Sequence, residues 1–517
     1  MSGSRDLGLG LAPEREPGPA EPGEWQRLDR RSLLVTVEMT GGVAVAAGVP
    51  TALGLASALS LGITLACVLG GAVLLVAGGV AVDALRLRHS RYRVGPERAE
   101  LRSGVLFVKH RSLNRERIRT VDLVAHPLLR LLGLVKVRIG TGEHSSAQEA
   151  ALELSPVRRA EGERLRHELL HRAAADTAQD TEGRLASLDT RWIRYAPVSF
   201  VTPVLAVAAG GAVMQVSEWF GAQKEVIEWV GDRFSGMSVA GMVLVLAAVA
   251  FVAGAVGALG LWVEMWWNYR LDQEPGGTLR VRRGLLTTRS VSLEEARLRG
   301  VDVVEPLGLR LSGAARVDAI VTGLARRDED SHADANTLVP GAPRALADEV
   351  AARVLREPVT PTGAPLAAHP PAARTRRLRW AVSATLAPVL ALVLLGALLG
   401  LPLLAWLGAG CAVVLLPVAV ALARDAYRSL GHALGDDYLV VRSGTIRRST
   451  VALRRDGVIG WTVKQSALQR RAGLLTVAAT TAAGAQAYAA YDVGEVEGLE
   501  FAEGAVPDLL GPFLERG

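Results

Sequence analysis

The feature that most restricts what this chain can become is a repeat. The stretch "LRSGVLFVKHRSLNRERIRTVDLVAHPLLRLLGLVKV" (101–137) aligns without a gap with "VRRGLLTTRSVSLEEARLRGVDVVEPLGLRLSGAARV" (281–317) at an offset of 180. It aligns again with "VRSGTIRRSTVALRRDGVIGWTVKQSALQRRAGLLTV" (441–477) at an offset of 340. Gly104, Gly284 and Gly444 coincide, as do Arg130, Arg310 and Arg470, and Gly133, Gly313 and Gly473. Ser112 meets Ser292, and Val121-Asp122 meets Val301-Asp302. Low complexity would not hold Gly, Arg and Gly at these separations in three places, so the chain carries three copies of one soluble module. Each copy alternates with period two and reads mainly as β. The Gly after Arg-x suits a hairpin turn, and the later Gly suits a turn or bulge. Copies one and two run into helical tails, "SPVRRAEGERLRHELLHRAA" and "VPGAPRALADEVAARVL", and the third ends in "VPDLLGPFLERG". The expected module is a small β-barrel or sandwich closed by a C-terminal helix.

Between the copies lie apolar stretches. About 20 such residues cross a bilayer core, and six segments qualify: about 33–53, 58–82, 198–216, 239–265, 381–399 and 402–423. They fall into three pairs. Hydrophobic residues make up 50% of the 517, with a mean hydropathy of +0.26, which fits spans mixed with soluble domains. The fold class expected is therefore an α+β membrane protein: three transmembrane helix pairs, each followed by a cytoplasmic module. The boundaries read as a disordered tail (1–28), hairpin one (33–85), module one (89–174), a linker (175–194), hairpin two (195–267), module two (268–358), a linker (359–378), hairpin three (379–424) and module three (432–517). The tail lacks the basic and apolar regions of a signal peptide.

Arginines flank the outer ends of every pair, among them Arg30, Arg31, Arg86, Arg88, Arg191, Arg194, Arg270, Arg374, Arg376, Arg424 and Arg428. The turns inside the pairs are uncharged, or acidic in "SEWFGAQKEVIEWVGDRF". The positive-inside rule then places the N-terminus and all three modules on the cytoplasmic side of the cell membrane. The net charge of +6 reflects these flanks and does not predict nucleic-acid binding. Trp192, Trp262, Trp266, Trp267 and Trp380 are expected in the interfacial belt. Glu38 and Glu264, near span ends, are expected to snorkel or pair with Arg30, Arg31 and Arg270. The acidic turn carries Trp219, Phe220, Val226, Ile227, Val230 and Phe234 at helical spacing, suiting a helix on the outer surface or one packed on its own spans. Gly254, Gly257, Gly260, Gly396 and Gly400 permit close helix approach. Cys67 and Cys411, the two cysteines, lie in apolar runs and offer neither a disulfide framework nor a Cys zinc site.

The order of a transmembrane hairpin, R-x-G, "HPLLRLLGLVKVRIGTG" and a closing "LR-x-x-LL" helix resembles the bacterial pleckstrin-homology-like (PH-like) membrane proteins of the YdbS/YdbT type. "QSALQRRAGLLTV" in copy three is similar to a signature of that family. The resemblance spans about residues 25–517. Copy two departs from it, with Pro306, Gly308 and Ala314 where copy one has His126, Leu128 and Leu134. The resemblance implies a PH-like barrel of seven strands capped by a helix, and no catalytic residues.

One motif argues the other way. His167-Glu168-Leu169-Leu170-His171 matches H-E-x-x-H, which on a helix puts two zinc ligands on one face beside a general base. A membrane-bound zinc metalloprotease using these residues is the alternative reading. Three observations weigh against it. No third ligand is evident downstream; Arg164, Arg166 and Arg172 surround the pair; and superposing copy two at an offset of 181 puts Asp348 and Ala352 at the two His positions. Leu165, Leu169 and Ala173 form the stripe that would plug the barrel. "GTGEHSS" (140–146) lacks the P-loop Lys-Ser/Thr. Asp328, Glu329, Asp330, His332 and Asp334 read as a solvated loop.

The expected function is therefore binding or scaffolding without catalysis, cofactor or metal. The partners expected are the lipid bilayer and a protein, possibly a smaller membrane protein of the same family. Lys109, Arg111, Arg117, Arg119, Arg447 and Arg448 are the candidate contacts to lipid or partner; charged strand edges that discourage sheet pairing are the plainer explanation of them. Transport is disfavoured by the lack of midplane charges and broken helices.

Overall fold

The computed structural model describes residues 25–29, 31–56, 59–104, 108–115, 118, 120–140, 151–170, 183–199, 201–322 and 336–509. The first third of the chain comprises β1 (Gln26–Arg27), α1 (Ser32–Ala56), α2 (Leu61–His89), β2 (Arg91–Val94), β3 (Arg98–Ser103), β4 (Lys109–Asn114), β5 (Thr120–Ala125), α3 (Pro127–Leu131), β6 (Leu134–Gly140), β7 (Ala151–Arg158) and α4 (Arg159–Leu170). The second comprises β8 (Gly183–Ser187), α5 (Val201–Trp219), α6 (Gln223–Phe234), α7 (Val239–Trp266), β9 (Arg270–Glu274), β10 (Thr278–Arg283), β11 (Thr288–Glu294), β12 (Leu298–Pro306), α8 (Leu307–Leu311), β13 (Ala314–Val321), β14 (Thr337–Pro343) and α9 (Arg344–Leu355). The third comprises α10 (Pro371–Leu398), α11 (Pro402–Arg428), β15 (Gly431–Leu434), β16 (Tyr438–Ser443), β17 (Arg447–Arg454), β18 (Val458–Lys464), α12 (Ala467–Arg471), β19 (Leu474–Thr481), β20 (Ala487–Gly494) and α13 (Glu495–Ala505).

Six helices, α1, α2, α5, α7, α10 and α11, are long and apolar enough to cross a membrane. α1 packs on α2, α5 on α7 and α10 on α11. Small residues make these contacts close. A Cβ on Gly254 would lie 2.3 Å from the Thr202 carbonyl oxygen, and one on Gly396 would lie 2.8 Å from the Ala405 nitrogen. Gly257 sits against Leu205, whereas Gly260 has nothing near it. Thr36 donates to Asp83 at 2.6 Å, tying α1 to α2. α6 buries none of its residues; Ile227 and Trp229 on it are exposed, as are Trp219 and Phe220 just before it.

Among the described residues the strands do not close into self-contained seven-stranded barrels, as the resemblance implied; the sheets run from one copy into the next. One sheet has the order β7-β6-β5-β11-β10-β9-β8, and another β14-β13-β12-β17-β16-β15. The first half of copy two thus completes the second half of copy one, and the first half of copy three completes the second half of copy two. The physical cause is edge satisfaction. β5 and β12 each present an outer row of backbone N–H and C=O groups, and β11 and β17 supply the missing partners. Both junctions use one register: Thr288 faces Ala125, and their counterparts Arg448 and Glu305 face each other. The remaining halves stand alone as β1-β2-β3-β4 at one end and β18-β19-β20 at the other.

Hydrophobic packing, in contrast, stays mostly within a copy. Leu101, Val121, Val137, Leu154 and Leu165 of copy one share a core, as do Leu271, Val281, Val301, Val317 and Val350 of copy two. α4 lies over β5–β7, α9 over β12–β14 and α13 over β19 and β20.

Several expectations change on this framework. Gln26 and Arg27, in the expected tail, pair with Tyr92 and Arg91. Residues 183–187, in an expected linker, form β8 on the edge of β9. Trp192 and Trp266 are buried around Tyr269 in the core of copy two, so these two do not join an interfacial belt. Glu264 does not pair with Arg270. Its carboxylate accepts the backbone N–H groups of Leu286 and Thr287 at 3.0 and 2.8 Å, capping the β10–β11 turn against the end of α7.

Candidate interaction surfaces at the junctions

The repeated glycines and arginines lie on turns beside the two junctions and at the counterpart positions of the two ends. Gly104, Gly284 and Gly444 have φ of 124°, 111° and 102°, and Gly133, Gly313 and Gly473 have φ of 68°, 69° and 62°. These are left-handed positions that L side chains resist. Arg130 donates to the Leu285 carbonyl in the next copy at 2.9 Å. Arg310 donates to Asp425 at the end of α11 at 2.7 Å. Arg470, their counterpart, has no following copy. It is exposed and has no side-chain partner among the described residues.

The second junction is neutralised by its own acids. Glu305 bridges Arg448 at 2.7 Å and Arg344 at 2.9 Å, and Arg344 also meets Asp348 at 2.9 Å. Burial pushes the Glu305 carboxyl up, but Arg448 and Arg344 outweigh it and hold it below the usual range. Arg447 approaches Asp318 at 3.9 Å. Arg447 and Arg448, expected as lipid or partner contacts, here hold one copy to another.

The first junction is built differently. Arg166 on α4 is 1% exposed. It reaches Glu274 of β9 at 2.7 Å and Glu163 at 3.1 Å. Arg280 of β10 meets the same two carboxylates at 3.1 and 2.7 Å. Burial raises the carboxyls of Glu163 and Glu274, yet hydrogen bonds and charge from Arg280 and Arg166 leave both below the ordinary value. Arg282 is lowered by burial and by Arg280 beside it.

The structure also resets the helix alignment. Arg159, Arg344 and Glu495 each donate their backbone N–H to the carbonyl of the preceding left-handed glycine, Gly133, Gly313 or Gly473. The offset between α4 and α9 is therefore 185 rather than 181. Leu165 matches Val350 and Phe501, Leu169 matches Val354 and Ala505, and all are buried. His167 matches Ala352, and Arg166 takes the place of Ala351 and Ala502. Arg166 was missed because a charged residue at a plug position reads as surface; only its sheet partners, a hundred residues away, show otherwise.

His167 is exposed, with its Nε2 2.9 Å from the Arg166 guanidinium. His171, Ala173 and the Asp328–Asp334 cluster lie outside the described residues, as do Arg117 and Arg119. Among the described residues no group of three His, Cys, Asp or Glu could hold a metal ion. Lys109 and Arg111 stand on β4, which pairs with β3 on one side and, among the described residues, with nothing on the other. β18 likewise pairs only with β19. These two edges are the counterparts of the β11 and β17 edges and of the β5 and β12 edges that make the junctions.

A buried histidine pair joins β15, through His432, to the segment just before α10, through His369. His432 Nδ1 is 3.1 Å from His369 Nε2, and the His432 ring meets Phe501 edge-on. Burial, then the neighbouring His432, pushes His369 down to about 4.

No curated protein and no solved structure matches the chain. Residues 43–173 and 381–503 match the family model of the bacterial PH domain, which covers a helix pair with its following strands in the first and last thirds and leaves the divergent middle copy unmatched. The two matched segments, residues 43–173 and 381–503, with their apolar helices and sheets together, are of the bacterial PH-like family.

Proposed function

We propose that this is a binding and scaffolding protein of the cell membrane, anchored by three helix pairs, that presents three PH-like modules on the cytoplasmic side and takes on partners by strand addition. The observation that carries the reading is the repeated junction: one chain twice joins a β4-type edge to a β5-type edge in the same register and, among the described residues, leaves one edge of each type open at its two ends. Strand addition draws affinity from main-chain hydrogen bonds and tolerates varied side chains. The partner is another PH-like module, supplied by a second copy or by a smaller member of the family.

No reaction and no nucleic acid belong to this reading. Supporting that, His167 is exposed beside a guanidinium, a poor place for a zinc ligand. The orientation rests on the arginine flanks of the apolar helices.

Co-expression of two differently tagged full-length copies tests the proposal. A proline in an edge strand removes a ladder donor and blocks pairing. Copies should co-purify from solubilised membranes, and Arg111→Pro or Thr462→Pro should abolish this. If instead a smaller protein co-purifies and is lost with either variant, the partner is the relative. Unchanged association in both variants contradicts strand addition.

A further inference from the structure

The first junction holds a cavity of about 230 Å³ whose lining includes seven arginines and a single acid, Glu163. Arg280, with Arg166 behind it, already engages Glu163 and Glu274. The other six lining arginines are Arg130, Arg159, Arg270, Arg282, Arg283 and Arg289. Arg270 and Arg282 face each other across β9 and β10, and Arg283 and Arg289 across β10 and β11. Like charges placed opposite one another in a sheet are destabilising. Among the described residues no carboxylate lies within ion-pair distance of Arg130, Arg159, Arg270 or Arg289.

The second junction shows how the same fold neutralises the same place. There Glu305 holds Arg344 and Arg448, and Asp425 holds Arg310. Glu305 has Ala125 as its counterpart in copy one, and Asp425 has Met265 at the end of α7. Glu264, next to Met265, is occupied by the turn of the β10–β11 hairpin. The first junction thus keeps the cations Arg130 and Arg159 and lacks the anions.

The position of the cavity says where an anion would come from. Arg283 stacks on Trp266, the last residue of α7, at 4.3 Å, and Asn268 and Arg270 follow directly. Leu131, at the end of α3, and Leu286, on the β10–β11 turn, stand exposed on either side of the Arg130–Leu285 bond. Apolar tips beside a guanidinium-lined cavity at the end of an apolar helix suit a phosphate held where bilayer meets water.

We infer that this cavity is a binding site for a phosphate-bearing anion, with guanidinium groups of Arg130, Arg159, Arg270 and Arg289 taking the place that Glu305 and Asp425 make unnecessary at the second junction. The site does not depend on strand addition at β4 or β18. Two sources share the chemistry: the headgroup of an anionic phospholipid and a soluble phosphate compound.

The test uses the full-length chain, delipidated in a neutral detergent. One arm titrates phosphatidylglycerol against phosphatidylcholine and counts bound lipid by native mass spectrometry; the other measures pyrophosphate by equilibrium dialysis. Ala125→Glu installs the acid of the second junction, and the double variant Arg130→Gln/Arg289→Gln removes two cations. The wild type should prefer phosphatidylglycerol by about tenfold, and both variants should lose the preference while still unfolding in one cooperative thermal transition. Pyrophosphate binding without a lipid preference, lost in both variants, assigns the site to a soluble phosphate. A wild type that binds neither probe, or variants that bind as the wild type does, overturns the inference.

Discussion

At the residue scale, one arginine departs from its repeats. Arg166 sits where the other copies have Ala351 and Ala502, and it joins α4 to β9 through Glu274. Removing one partner of a buried ion pair leaves the rest uncompensated, typically at about 3–5 kcal/mol. Arg166→Ala should lower the stability of the first junction by that order, and adding Glu274→Ala should restore part of it; thermal melting of the full chain checks both. His369 makes the other residue-scale prediction. Its folded value is about 4 against an ordinary 6.5, so between these the unfolded chain binds the proton more readily. The contribution is complete above pH 6.5 and is lost as pH falls from there toward 4. Trp461, whose ring centroid is 6.1 Å from that of Phe501, should report the loosening by fluorescence, and His369→Asn should flatten the dependence. Neither residue could be assigned from sequence. A buried arginine and a histidine pair, with members 63 residues apart, are defined by partners that periodicity does not reveal.

At the element scale, the sequence was informative where the backbone itself is constrained. The aligned glycines, read as hairpin-turn and turn-or-bulge positions, all have positive φ, and only a residue without Cβ adopts φ near 100° freely. Their environments differ, which separates two substitutions. At Gly284 a Cβ would lie 1.9 Å from the Thr287 carbonyl oxygen, so Gly284→Ala must deform the turn that Glu264 caps. At Gly313 nothing lies within 4 Å, so Gly313→Ala pays only the left-handed strain, about 1–2 kcal/mol. Melting temperature should fall clearly further for Gly284→Ala. Helix alignment was less legible. Offsets of 181 and 185 differ by about one turn, and an i, i+4 stripe looks the same under both. The carbonyl of Gly133 or Gly313, which fixes where each helix starts, is a tertiary fact.

At the scale of the whole molecule, the sharing of sheets was not legible in the sequence. Alternation identifies a strand and its inward face, but it says nothing about which neighbour takes its outer edge. The chain resolves that by passing each sheet from one copy to the next while packing each core mostly within a copy. Three β4-type and three β5-type edges make two junctions and, among the described residues, leave β4 and β18 open. In the register of the two closed junctions, Arg111 would face Thr462 and Lys109 would face Lys464. The lysine pair repels, and salt screens it, so association of copies should strengthen between low and moderate ionic strength, as sedimentation in detergent would show.

The central claim is tested most directly by that register. In a chain with Cys67 and Cys411 replaced, Arg111→Cys and Thr462→Cys should form a disulfide between two copies in native membranes. Leu113→Cys paired with Thr462→Cys, two residues out of register, should form far less. Equal yields from the two pairs, a disulfide closed within one chain, or no disulfide from either would contradict the account.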